Sequence, residues 1–163
     1  MSDPMSDPVI ATLAASPPRR FVGVAMLAML GGLLVYLALA LPFSGTQVFL
    51  ILGGLASLWA GARMHSATSQ LLELSQEELR VKDGPILAKI ADIEKVERGT
   101  FAFKPSNGFL ITLKSQGTRR WAPGLFWSFS RKIGVGGVTG APQTKGLAEA
   151  MSALVAERQI AAS

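Results

Sequence analysis

The sequence predicts an α+β membrane protein. An N-terminal two-helix transmembrane hairpin leads into a small antiparallel β-barrel or sandwich, closed by a C-terminal amphipathic helix. Three observations predict it. Two uncharged apolar stretches near the N-terminus are joined by only four residues. Short alternating segments follow, punctuated by turn signals such as "KDG" and "PSNG". The last run places apolar residues at helical spacing. Charged residues make up 17% of the 163, against about a quarter in soluble domains. The deficit falls between Phe21 and Ala62.

Phe21–Leu41 carries no charge, and about 20 helical residues cross a hydrocarbon layer of about 30 Å. Its apolar run is too long for a signal peptide, and no polar chain follows it. Thr46–Ala62 is shorter, at the low end of spanning length. The linker Pro42–Gly45 forces it back beside the first, so the expected helices are about 21–41 and 46–63, in a hairpin spanning 19–64. Arg19 and Arg20 precede the first span, Arg63 follows the second, and the linker is uncharged. The positive-inside rule then places both termini in the cytoplasm, with Trp59 and Phe43 as aromatic anchors near opposite faces. Small residues recur every four positions at Gly53, Ser57 and Gly61, and at Ala28 and Gly32. They let helices approach closely, either across the hairpin or against a partner membrane protein. Residues 1–18, with "MSDP" repeated at their start and Met5 as a second possible start, are expected to be a disordered tail.

Residues 66–163 are expected to form a cytoplasmic domain. In "QLLELSQEELRVKDG", Leu79 and Val81 alternate with Arg80 and Lys82 before a hairpin-type turn. "PILAKIADIEKVERG" fits helical spacing at Ile86, Ile90 and Ile93, but reads better as a strand or turn leading into a strand at Ile93–Glu97. Phe101 and Phe103 alternate before "PSNG", and Phe109, Ile111 and Leu113 after it, predicting a hairpin with one buried face. Further on, Leu125, Trp127 and Phe129 alternate and are expected in the core, as do Arg131, Ile133 and Val135, with Pro123 and Gly124 marking an edge or bulge. Trp121 is expected to be exposed. The closing helix, about 142–160, carries Leu147, Met151, Leu154 and Val155 on one face, with Pro142 in its first turn.

The hairpin directly before the strands, "ELRVKDG" followed by "ADIEKV", the "WAPGLFW…RKIGVGGVT" run and the closing helix together resemble a bacterial family. This is the PH-like domain membrane protein of uncharacterised proteobacterial type, with two transmembrane helices followed by a cytoplasmic PH-like domain. The resemblance covers residues 69–160 and implies a PH-like barrel at the bacterial inner membrane. It brings no catalytic motif.

The run "SRKIGVGGVTGAP" holds Gly134, Gly136 and Gly140 in a spacing near that of dinucleotide-binding loops. A true fingerprint sits inside a βαβ unit and has an acidic residue at the end of the next strand. Here one helix follows, and Glu157 lies on it. No nucleotide is expected. The glycines are expected instead to bend a last strand into the helix. Beside them, Arg131 and Lys132, with Arg119, Arg120 and Lys104, are expected to form one basic patch for lipid headgroups or a partner.

Several chemistries are not supported. The chain has no cysteine and one histidine, His65, just outside a span. Disulfides, thiolate sites and imidazole metal centres drop out, and no metal or cofactor is expected. Glu77 with Glu78, and Glu94 with Glu97, are the only carboxylate clusters, and all lie among charged neighbours. No general acid or base stands out, and neither span holds an ionisable group for an ion path. Residues 64–163 hold 13 Lys and Arg against 9 Asp and Glu, less basic than a nucleic-acid-binding domain. The expectation is a non-enzymatic membrane-anchored protein. It would bind a membrane-protein partner, or a second copy of itself, as accessory subunit, scaffold or assembly factor. An anionic-lipid-binding module is the alternative, and a membrane-associated enzyme the third.

Overall fold

The computed structural model describes residues 8–99 and 105–161. Phe101, Phe103 and Lys104, together with residues 1–7 and so Met5, lie outside them. The chain is α+β, with two long apolar N-terminal helices, two antiparallel sheets and a C-terminal helix.

Helix α1 is Pro17–Ala40 and α2 is Gly45–Ala67. Both are long and apolar enough to cross a membrane, and most of their apolar surface is exposed. Pro17 and Pro18 open α1, where a missing N–H costs nothing. Leu41, forced toward extended backbone by Pro42, ends it. Across the turn, Gln47 Nε2 donates to the Ala38 carbonyl at 2.6 Å.

The helices meet along a seam that differs from the expected stripe. Its close approach is Gly31 against Gly54, where a Cβ on either would sit 2.9–3.0 Å from the other's carbonyl oxygen. Gly61 is buried on the same seam near Leu27, and Ala38 is fully buried one heptad beyond Gly31. Gly53 and Ser57 lie at the seam's half-buried margin. Ala28 and Gly32 face outward, and a Cβ on Gly32 would meet nothing within 4 Å. Two helices packed at a slight angle repeat their contacts every 3.5 residues, so a strict four-residue stripe drifts off the seam.

The expected tail is also corrected. Residues 11–14 form strand β1 (Ala11–Ala14), paired antiparallel with β2 (Leu71–Leu74), and Leu13 is fully buried opposite Leu72. The chain therefore contributes a strand, leaves as α1, and returns through α2 directly into β2. The boundary expected near residue 64 is blurred as well, because α2 continues to Ala67, which joins the domain core.

The remaining elements are β3 (Glu78–Val81), β4 (Ile86–Lys89), a 3₁₀ turn at Ile90–Asp92, β5 (Ile93–Glu97), β6 (Phe109–Leu113), β7 (Arg120–Ala122), β8 (Phe126–Phe129), β9 (Lys132–Val135) and helix α3 (Ala141–Ala161). "KDG" turns β3 into β4, with Asp83 in the left-handed region at φ 54°. One sheet has the order β1-β2-β3-β4 and the other β5-β6-β9-β8-β7. No ladder joins them among the described residues; both contribute to one core. Leu72, Leu74 and Leu79 from one sheet share it with Phe109, Ile111 and Ile133 from the other. On α3, Leu147, Met151 and Val155 are buried and Leu154 is partly buried, as the helical spacing predicts.

Candidate interaction surface

The glycine-rich run is a junction. Gly136 and Gly137 follow β9 at φ 138° and 126°, a region that side chains rarely occupy. A Cβ on Gly136 would lie 2.5 Å from Gly108 Cα, and one on Gly137 would lie 2.8 Å from the Gly124 carbonyl oxygen. Two backbone crossings thus need glycine on both sides. The amides are spent inside the fold: Gly136 N–H donates to Leu125 O, Gly137 N–H to Ser106 O and Val138 N–H to Gly124 O. Those three donors are not free to cradle a phosphate. Val138 O then accepts from Ser16 N–H, and Arg19 donates to Thr139 O at 3.1 Å. Arg20 reaches the end of α2, donating to Ser69 Oγ at 2.8 Å and to His65 O at 3.2 Å. The arginines in the first turns of α1 also tie the helical hairpin to the sheets. His65 is exposed beneath the Arg20 guanidinium.

The register of β8 corrects the expected core. Phe126 and Ser128 face inward, and Ser128 Oγ donates to Thr118 O at 2.8 Å. Trp127 is half-buried on the outer face and Phe129 is 58% exposed there. The apparent alternation starts from Leu125, but Leu125 lies in the tight turn whose N–H donates to Ala122 O. Its burial belongs to the turn, and the strand phase begins one residue later; a slip of one reverses the faces. Trp121, directly across from Trp127, is exposed as expected. Gly134 makes room for the Trp127 indole: a Cβ there would sit 2.4 Å from the ring. In the sheet, Trp127, Gly134 and Leu110 lie side by side on this outer face.

A groove of about 800 Å³ runs along the same face, lined by Thr112, Trp127, Phe129, Arg131, Lys132 and Glu94. Of the five basic residues expected as one patch, the four that are described are divided. Arg119 lies over the Phe129 ring at 5.3 Å, a cation–π distance. Lys132 stands across from Phe129 in the ladder. Arg131 is partly occupied: Nε donates to Leu113 O at 2.8 Å and its guanidinium pairs with Glu94 at 2.5 Å. Arg120 lines a different hollow, beside Arg63 at the end of α2.

The carboxylate clusters separate into ion pairs. Glu78 lies 3.9 Å from Arg80, Glu94 pairs with Arg131, and Glu97 pairs with Lys95 at 2.7 Å. The hydrogen bond and charge of Glu97 hold the Lys95 ammonium above the ordinary lysine value. Among the described residues, no three His, Asp or Glu side chains gather as a metal site would require. The Arg131–Glu94 pair and the Trp127–Gly134 slot escape sequence reasoning because both depend on strand pairing; the one available hint was Gly134 in a strand, which often marks a close approach. No protein-family model, curated protein or solved structure matches this chain.

Proposed function

We propose that this chain is a non-enzymatic bacterial inner-membrane protein with both termini cytoplasmic. Its PH-like domain docks a partner membrane protein on the outer face of the five-stranded sheet, as an accessory subunit, scaffold or assembly factor. The observation that carries the reading is the groove in which exposed Phe129 and half-buried Trp127 lie beside Arg119 and Lys132. Solvent-facing aromatics flanked by arginine are the usual composition of an energetic contact centre. With Arg131 already balanced by Glu94, Arg119 and Lys132 leave the groove net positive. The occupant is therefore an acidic segment of the partner with apolar side chains to cover the rings. The two antiparallel sheets, the closing helix and the two apolar helices support the PH-like, membrane-anchored part of the reading.

The test is purification of the full chain from native membranes in mild detergent, with crosslinking beforehand. A stoichiometric membrane protein is expected to co-purify. Phe129→Ala with Lys132→Glu should release it, and reversing the charge of its acidic segment should restore the pair. Ile86→Ala, on the other sheet, should change nothing. Recovery of the chain alone, or of a partner indifferent to the groove variants, would sink the proposal.

A further inference from the structure

We infer that the hollow between the domain-side end of α2 and strand β7 is a binding site for the phosphate group of an anionic membrane lipid. The inference is independent of what the sheet face binds. The hollow encloses about 280 Å³, and Arg63, Ser66, Gln70, Arg120 and Trp121 line it over Phe126. No carboxylate lines it, and neither Arg63 nor Arg120 enters an ion pair among the described residues. Arg80 and Arg131, by contrast, each sit on a glutamate. Two arginines lining one hollow without a counter-charge call for an anion, and the planar guanidinium fork matches phosphate oxygens in pairs. Gln70 adds an amide donor.

Position selects the source of that phosphate. Between Arg20 and Arg63 the chain has no charged residue, so Arg63 marks the level at which the apolar surface of α2 ends. Its guanidinium lies over Trp59 at 6.0 Å, one turn back along the helix, and tryptophan concentrates at the headgroup level of bilayers. Trp121, exposed at 58%, stands on the same rim. A hollow opening at this level meets headgroups before it meets soluble phosphates.

The full chain is reconstituted in phosphatidylcholine nanodiscs with increasing phosphatidylglycerol, and thermal stabilisation is followed. Phosphatidylglycerol should raise the melting temperature of the native chain. Arg63→Gln and Arg120→Gln should each raise the half-saturating lipid fraction about fivefold. Arg119→Gln and Lys132→Gln should not. Melting in pure phosphatidylcholine checks that each variant is folded. If Arg120→Gln does not fold, Arg120→Lys keeps the charge but loses the fork and should show a smaller loss in the same direction. Equal losses from all four positions would mean diffuse surface attraction and overturn the site. Equal stabilisation by inorganic phosphate in phosphatidylcholine discs would overturn the lipid assignment, and full binding by Arg63→Gln and Arg120→Gln would overturn both.

Discussion

At the scale of single residues, the glycine run does its work by what it lacks. Gly134 vacates space for an indole, while Gly136 and Gly137 combine positive φ with main chain so near that an added Cβ would lie under 3 Å from it. Adding a methyl at Gly136 meets both penalties, since strained backbone alone costs on the order of 1–3 kcal/mol and the neighbour in the way is main chain. Gly136→Ala is therefore expected to lower stability by at least that much, read as the shift in thermal unfolding in detergent. Gly146→Ala, on α3 with nothing within 4 Å of the added carbon, should be neutral or slightly stabilising. Equal melting of the two variants would contradict the junction described above. The presence of four glycines near one turn was legible in the sequence. Their partners, Gly108 and Gly124, were not, because a crossing is a property of two distant segments.

The elements were read with uneven success, and the misses share a cause. The two apolar helices, the "KDG" hairpin, the strand at Ile93–Glu97 and the helix beginning near Pro142 all follow from local signals. The seam of the hairpin and the faces of β8 do not, because each depends on phase. In the hairpin, a four-residue stripe and a 3.5-residue repeat part company within two turns, which leaves Gly32 outside and Gly54 inside. Gly54→Leu should force the helices apart and cost roughly 1–3 kcal/mol, the usual penalty of overpacking. Gly32→Leu should cost about half a kcal/mol or less. Melting both in the same detergent decides the matter, and the reverse order would place the seam on the expected stripe instead. In β8, a buried turn residue mimicked the first position of the strand and shifted the inferred core by one.

At the scale of the whole molecule, the hairpin is not a detachable anchor. Strand β1 precedes it, β2 follows it, and Ser16, Arg19 and Arg20 bond to the glycine junction and to the end of α2. A fragment of residues 66–163 therefore lacks the strand that pairs with β2 and leaves Leu72 against an empty site. It should be less stable than the full chain, with amide protection in β2 lost first in hydrogen exchange. Within the full chain, Leu13→Ala should cost about 2–5 kcal/mol, as for other large buried side chains. A fragment as protected as the full chain would show β1 to be dispensable.

The sequence by itself determined the α+β class, the two helices able to cross a membrane, and the closing helix, because length, charge and hydrophobic period are local quantities. Only the tertiary structure decided that residues 11–14 belong to the first sheet, that Trp127 and Phe129 face outward, and that Arg120 stands with Arg63 apart from Lys132. Each of these depends on which strands pair and in what register. That is settled by the sum of contacts across the core, beyond the reach of any window of neighbouring residues.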